Sequence, residues 1–219
     1  MVLIQRRMGY EKSWYGLLMM GFGAAMGAYL AMMGVGLLYN AVFLPAELGR
    51  DELVGRIDVL FINFFMLGIL LELAKSYGVT AFDTEMTRGN WTAYGLAIGT
   101  GAGLCQTFWL LGATSLSVLG GLEVGSLELW LVLRCGAVTW LEAVLGASIL
   151  YSTAKNARVS GVLVFGGAHG LALLLPGLAA LSPALAGWQP WLGSLAAFSV
   201  GAMAALHLWW RVRTHGWPT

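Results

Sequence analysis

Three titratable side chains lie inside long apolar stretches, where an ionisable group is costly and commonly marks function. Glu72, Glu142 and His207 each follow the start of their stretch by about 15 to 17 residues. At 1.5 Å of rise per helical residue, all three would lie roughly 22–26 Å from one membrane edge. The spacing therefore predicts one layer of titratable groups inside a helix bundle.

Carboxyl groups in such a layer could act as acids. Burial and a second carboxylate nearby both favour the protonated form of a carboxyl group, which can donate a proton to a substrate in a dry pocket. We therefore predict Glu142 and Glu72 as catalytic residues. Three alternatives stay open. In the first, Glu72, one turn from Lys75, reaches the membrane interface. In the second, His207 hydrogen-bonds a carbonyl or faces lipid headgroups. In the third, Glu142 is a structural carboxylate whose hydrogen bonds are satisfied.

Arg134 lies two turns before Glu142, about 12 Å from it along a helix axis. A buried charge needs a partner, so Asp58 is its natural ion-pair partner. Polar and aromatic residues at similar depths would line a cavity for a lipophilic substrate, and aromatic faces would shelter cationic intermediates. The predicted substrate-binding residues are Asn63, Phe64, Phe65, Gln106, Trp109, Arg134, Trp140 and His207.

We expect neither a metal nor a cofactor. A lone histidine such as His169, midway along the fifth stretch, more often hydrogen-bonds within the packing than binds a ligand. Haem held by two histidines would need both at one depth, but His169 and His207 differ by roughly 9 Å. Cys105 and Cys135 both lie in apolar stretches and are too few for a metal cluster or a disulfide framework.

Six apolar stretches must position these residues, since a hydrocarbon core of about 30 Å needs roughly 20 helical residues. They lie near 14–44, 57–76, 91–119, 127–153, 159–181 and 190–212. The 219 residues are 58% hydrophobic and 11% charged, with a formal net charge of +1, whereas soluble domains carry about 25% charged residues. This excludes an ordinary soluble domain and a nucleic-acid binder. We predict an all-α polytopic transmembrane bundle in which residues 1–219 form a single domain.

The basic residues predict the orientation of this bundle. Nine of them fall on the side of the N-terminus and two on the other. The nine are Arg6, Arg7, Lys12, Lys75, Arg88, Lys155, Arg158, Arg211 and Arg213, and the two are Arg50 and Arg56. Because Lys and Arg are enriched in cytoplasmic loops, we predict six spans in the cell membrane with both termini cytoplasmic.

Small-residue faces predict close helix contacts. Gly23 and Gly27 form one on the first span, and Gly95, Gly99 and Gly103 form another on the third. Such faces serve packing within the chain or assembly into a homo- or hetero-oligomer.

Two short segments resemble a known family. Residues 34–40 read Gly-Val-Gly-Leu-Leu-Tyr-Asn, and Asn63, Phe64 and Phe65 follow after a polar loop. This arrangement resembles the start of integral-membrane terpene cyclases of the fungal meroterpenoid type, which have a Gly-rich span ending in Asn-Tyr and then Asn-Phe-Ala-Trp-Glu. The end of the chain, Trp-Trp-Arg-x-Arg at 209–213, is similar to their aromatic and basic end.

The resemblance implies acid-catalysed cyclisation of an isoprenoid. Leu67 stands where that family has its second-span Glu, the last span has no Asp, and the family has seven spans where this chain has six predicted ones. The acids of the family therefore have no match here. If the chemistry is retained, Glu72 and Glu142 replace them.

Three functions follow from these observations. The first is intramembrane, acid-catalysed conversion of an isoprenoid or another lipid, the second a small-solute or proton-coupled transporter or channel, and the third a non-catalytic subunit of a membrane complex. The expected partners are membrane lipids and a lipophilic small molecule, without nucleic acid. An aromatic-walled cavity holding Glu142 would favour the enzyme, and a polar path between both faces would favour transport.

Overall fold

The computed structural model describes residues 14–43, 56–82, 91–119, 127–182, 184–185 and 188–216. This part of the chain forms six long helices and no strand, which confirms the all-α fold class. They are α1 (Trp14–Phe43), α2 (residues 57–82), α3 (Trp91–Leu119), α4 (Leu127–Ala154), α5 (Arg158–Ala180) and α6 (Gln189–His215). Each helix begins within one residue of the start of a predicted span.

Five of these helices, α1, α2, α4, α5 and α6, are long and apolar enough to cross a membrane, with the search confined to the described ranges. The chain therefore has the helices of a polytopic membrane protein. Helix α2 continues to residue 82 rather than ending at 76, and α6 continues to His215 rather than ending at 212. Arg50 and the connections at 44–55, 83–90 and 120–126 lie outside the described residues.

The helices form a closed ring in which each packs against two neighbours. The order around the ring is α1, α3, α4, α6, α5 and α2, and α2 closes on α1. Helix α4 also contacts α2 and α5 across the ring. Its side chains Leu141, Leu145 and Ile149 are accordingly almost fully buried. We call the end of the bundle at which α1 begins the Trp14 end, and the opposite end the Phe43 end.

Glycine brings α3 and α4 into backbone contact. A Cβ atom built on Gly95 or Gly99 would collide with the backbone of α4, and one on Gly103 would lie 2.7 Å from Cα of Thr139. The predicted small-residue face of α3 is therefore used inside the chain. This close approach also sets Glu142 against α3, since a Cβ atom built on Gly103 would lie 3.3 Å from the Cβ atom of Glu142.

The small-residue face of α1 has a different position. A Cβ atom built on Gly23 or Gly27 meets no atom within 4 Å, and both glycines are exposed. This face therefore makes no close helix contact with the described part of the chain.

A π-helical turn at Phe61–Phe65 interrupts α2 between the α-helical segments Ile57–Leu60 and Met66–Phe82. Such turns widen a helix by one residue and are frequent at functional sites. A Cβ built on Gly170 would lie 2.9 Å from Cα of Phe65, and one built on Gly68 would lie 2.5 Å from Cα of Gly170. This contact between α2 and α5 brings the following turns of α2 close to α5.

Candidate functional site

Five polar side chains from four helices meet inside the bundle. This central cluster consists of Glu72 and Lys75 of α2, Gln106 of α3, Glu142 of α4 and His169 of α5. Gln106 is 5% exposed and the other four are 0% exposed. His169 lies eleven residues from either end of α5, about 16 Å by the helical rise. The cluster is therefore near the middle of the bundle and closed to solvent.

The ammonium group of Lys75 joins the two carboxylates. Its Nζ donates to Oε1 of Glu72 and to Oε2 of Glu142, each at 2.5 Å. Nδ1 of His169 lies 2.9 Å from Oε1 of Glu72, and its Nε2 lies 3.6 Å from Oε1 of Glu142. Gln106 donates from Nε2 to that same oxygen of Glu142. The expected convergence of Glu72 and Glu142 is thus found, with a cation between them.

The charges of the central cluster are balanced only when it holds one additional proton. Two carboxylates and one ammonium sum to one negative charge when His169 is neutral, and to zero when a proton is added to the histidine or to a carboxylate. An uncompensated buried charge is expensive, so a further positive charge would be stabilised at this place. Oε2 of Glu72 is buried and has no hydrogen-bond partner among the described residues, so the cluster has a free acceptor.

The same residues have the composition of a metal site, but they already hold a cation. Ligand atoms of Glu72, Glu142 and His169 lie within 4.8 Å of one another, and carboxylate and imidazole groups are common metal ligands. The ammonium of Lys75 sits between the two carboxylates and supplies the positive charge that a metal would bring. The two carboxylates are therefore paired with a cation supplied by the chain itself.

Besides His169, which the sequence predicts as a packing residue, Lys75 is the member of the cluster that the sequence interpretation missed. Its place near the end of a predicted span puts it among the cytoplasmic basic residues, but its side chain is 0% exposed, because it points toward Glu72 and Glu142 and α2 continues seven residues past it. Without Lys75, the predicted orientation depends on eight basic residues on the cytoplasmic side and two on the opposite side. A usable signal was its position three residues after Glu72, which places the two charges on one helix face.

The structure does not bring His207 to the central cluster. Its ring lies 6.0 Å from that of Phe165 and 6.2 Å from that of Trp210. It lines a separate cavity of about 220 Å³ between α4, α5 and α6, together with Tyr151 and Arg211. Helix α6 packs on α4 and α5, so equal depth along the helices did not place His207 beside the two glutamates.

Four of the predicted substrate-binding residues share one cavity of about 400 Å³. Phe64, Gln106, Trp109 and Arg134 line it together with Tyr29 of α1, and we call it the Arg134 cavity. The rings of Tyr29 and Trp109 are tilted with centroids 5.9 Å apart. The cavity lies on the Phe43 side of the central cluster, which it reaches through Gln106.

Three predicted substrate-binding residues have other positions. Asn63 donates to the carbonyl of Val59 at 2.8 Å. Phe65 stacks on Phe61 with centroids 4.5 Å apart. Trp140 lies against α6 and is 42% exposed. None of the three is among the residues that line the Arg134 cavity.

Arg134 does not pair with Asp58 as expected. The carboxylate of Asp58 binds Arg56 at 2.7 Å and Tyr39 at 2.6 Å. Nη1 of Arg134 is buried without a hydrogen-bond partner in the part of the chain that the structure describes. Its guanidinium lies against α6, where a Cβ built on Gly193 would be 2.7 Å from Cζ of Arg134.

Another cavity lies on the side of the central cluster opposite to the Arg134 cavity. Its volume is about 540 Å³, and its walls come from α1, α2 and α3 at the Trp14 end. We call it the Lys75 cavity, because Lys75 is the charged residue in its lining; the rest is apolar or small, for example Gly16, Met19 and Ile98. The buried cluster is therefore flanked by one cavity on each side.

Comparisons of the chain with protein-family models, with curated proteins and with solved structures find no match.

Proposed function

We propose that this chain is a membrane protein that binds a proton in its central cluster and couples that proton to the movement of a small solute across the bilayer. One observation carries the proposal. A dry network of two carboxylates, a lysine, a histidine and a glutamine lies at mid-depth, and a cavity approaches it from each side. Intramembrane carboxylates and histidines mark proton relays and ion pathways.

Two members of the cluster connect it to the cavities. Gln106 forms part of the wall of the Arg134 cavity, and Lys75 forms part of the wall of the Lys75 cavity. Between them, Glu142 contacts both side chains. A proton entering from either cavity therefore needs only local side-chain movement to reach a carboxylate.

The position of the carboxylates favours transport over acid catalysis. A general acid must come within hydrogen-bond reach of the atom that it protonates. Glu72 and Glu142 are 0% exposed, and neither is among the residues that line the two cavities. Three of their four oxygens are engaged by Lys75, His169 and Gln106 instead, and the fourth, Oε2 of Glu72, is buried.

We further propose six spans, with α3 as the sixth, and both termini on the cytoplasmic side of the cell membrane. Of the described basic residues at the ends of the helices, Arg56 lies at the Phe43 end, whereas Lys155, Arg158, Arg211 and Arg213 lie at the Trp14 end, and this excess supports the orientation. Aromatic rings accompany them there, since Arg158 lies 4.7 Å from the ring centre of Tyr77 and Arg213 lies 5.3 Å from that of Trp209. Aromatic and basic residues together are typical of an interface with lipid headgroups.

The aromatic wall of the Arg134 cavity favours a second candidate function. Tyr29, Phe64 and Trp109 could shelter a carbocation, and Gln106 separates that wall from Glu142. Acid-catalysed conversion of an isoprenoid, as the resemblance to terpene cyclases implies, would require Gln106 to move aside. Formation of a cyclic product from a polyprenyl epoxide by the purified protein, and its loss in Glu142→Gln, would favour this candidate over transport.

Proteoliposomes loaded with a pH-sensitive dye test the proposal. Three probes of similar size and different charge, benzenesulfonate, benzyltrimethylammonium and benzamide, are added under an imposed pH gradient. We expect at least one probe to change the internal pH faster than in protein-free vesicles, and Glu142→Gln to abolish that change. Asp58→Asn is the matched control, because Asp58 pairs outside the cluster. The proposal is refuted if no probe moves protons, or if Glu142→Gln and Glu72→Gln both keep the wild-type rate.

A further inference from the structure

We propose that the Arg134 cavity binds an amphipathic organic anion, whose acidic group pairs with Arg134 and whose apolar body packs on Tyr29, Phe64 and Trp109. This inference rests on the proposed function and names the class of solute. It begins from a charge that has no counterion in the described part of the chain. Arg134 lies within α4, its Nη1 is buried, and no hydrogen-bond or ion-pair partner for it occurs among the described residues. An arginine at membrane depth normally faces such a partner.

Arg134 forms part of the wall of the cavity, and its guanidinium is fixed by packing against α5 and α6. Gly193 of α6 leaves the space that the guanidinium occupies, and Pro176 of α5 lies at the same place, with Cγ 3.0 Å from a Cβ built on Gly193. Three helices thus meet around one planar cation. A guanidinium fixed in this way suits the flat, two-oxygen face of a carboxylate or sulfonate.

The rest of the cavity suits an apolar body. The lining is aromatic or aliphatic apart from Gln106 and Arg134; its other members are Tyr29, Met33, Phe64, Leu67, Trp109, Leu110, Val138 and Leu173. Its volume of about 400 Å³ lies within the range of small-molecule sites. One charged group beside a large apolar wall selects an amphipathic anion and disfavours a cation.

The anion would also promote proton uptake by the cluster. Arg134 is eight residues before Glu142, roughly 12 Å along the helix, and its positive charge opposes an added proton. At an effective dielectric constant of about 20, neutralising that charge changes proton affinity about tenfold. By linkage, a proton in the cluster tightens anion binding by the same factor. Among the described residues outside the cluster, Tyr29 of α1 and Cys105 of α3 are the titratable groups that interact electrostatically with Glu142.

Binding is measured on the protein in phosphatidylcholine nanodiscs by titration with benzenesulfonate and, separately, with benzyltrimethylammonium. We expect benzenesulfonate to bind, more tightly at about pH 5.5 than at about pH 8.5, and the cation not to bind. Arg134→Gln should weaken benzenesulfonate about tenfold or more, since it removes a charge-assisted bond. Arg56→Gln is the matched control, because Arg56 pairs with Asp58 away from the cavity, and it should keep the wild-type affinity.

A second variant covers the case in which Arg134→Gln does not fold. Phe64→Ala shortens the wall without touching the cluster and should weaken benzenesulfonate about threefold or more. Unchanged affinity in whichever of these variants folds overturns the inference. Preferential binding of the cation also overturns it, and so does displacement of benzenesulfonate by phosphatidylglycerol in the nanodisc, which would make a lipid headgroup the occupant.

The two proposals fail in different ways. Proton movement coupled to benzyltrimethylammonium or benzamide, with no response to benzenesulfonate, overturns the anion site and leaves transport standing. Binding of benzenesulfonate that depends on Arg134, with no proton movement in vesicles, supports the anion site and refutes transport.

Discussion

Replacing Lys75 by methionine would remove the cation on which the central cluster depends while keeping a side chain of similar length. Glu72 and Glu142 would then face each other without a counterion, both 0% exposed. Breaking a buried ion pair by deleting one partner costs about 3–5 kcal/mol. We therefore expect Lys75→Met to lower the free energy of unfolding by about that amount near neutral pH.

The loss in Lys75→Met should depend on pH with a definite sign. The folded variant relieves its excess negative charge by taking up a proton that the exposed carboxylates of the unfolded chain do not bind. Because the folded state then holds more protons than the unfolded state, stability falls as pH rises and recovers as pH falls. Unfolding is measured by circular dichroism during titration of mixed micelles with dodecyl sulfate, at several pH values.

A double mutant separates the charge effect from lost packing. Glu142→Gln in the Lys75→Met background removes one of the two facing charges, so we expect the double mutant to be about 1–3 kcal/mol more stable than the sum of the single effects. Lys155→Met is the control, since Lys155 is exposed and donates only to the carbonyl of His215 at 3.4 Å; its effect should stay within about 0.5 kcal/mol. A cost for Lys75→Met below about 1 kcal/mol, or no gain from Glu142→Gln, would refute this account of the cluster.

Three further predictions concern the α3–α4 contact, Gln106 of the cluster and His207 outside it. Gly99→Val should lower the free energy of unfolding by about 3 kcal/mol or more, because the new side chain meets the α4 backbone. Gly23→Val is the control at an open position and should change that free energy by less than about 0.5 kcal/mol. A similar loss in both variants would contradict the proposed role of the α3–α4 contact. Gln106→Ala should reduce solute-coupled proton movement about tenfold or more, since it breaks the link to Glu142, and an unchanged rate in vesicles would show that the link is dispensable. His207→Ala should leave that rate at the wild-type value, because His207 lies in a separate cavity, and a loss of coupling would place it back in the mechanism.

The helices could be predicted from the sequence because membrane spans are defined by length and hydropathy, which need no knowledge of neighbours. The meeting of Glu72 with Glu142 could be predicted for a related reason, since two intramembrane carboxylates have few stable positions other than the bundle interior. His207 shows the limit of that reasoning. Depth follows from counting residues, whereas the direction in which a side chain points depends on which helices are neighbours.

The composition of the cluster could not be read from the sequence for the same reason. Lys75 looks like an interfacial residue until α2 is known to continue to residue 82. His169 looks like a packing residue until the glycine contact between α2 and α5 sets it beside Glu72. Arg134 does not pair with Asp58 as the sequence predicts, because Arg56 binds Asp58 from two residues away.

The distribution of the cluster over the helices has a mechanical consequence. Helices α2, α3, α4 and α5 are tied together by charged contacts, whereas α1 contributes no residue to the cluster and yet forms walls of both cavities, with Met19 in one and Met33 in the other. A movement of α1 would change the width of both cavities and leave every contact of the central cluster intact, but it would have to break the close packing on α3 at Gly21 and Gly101 and the bond from Tyr39 to Asp58. If the chain transports a solute as proposed, α1 is therefore the helix whose movement would change access from either face without exposing the charges of the cluster.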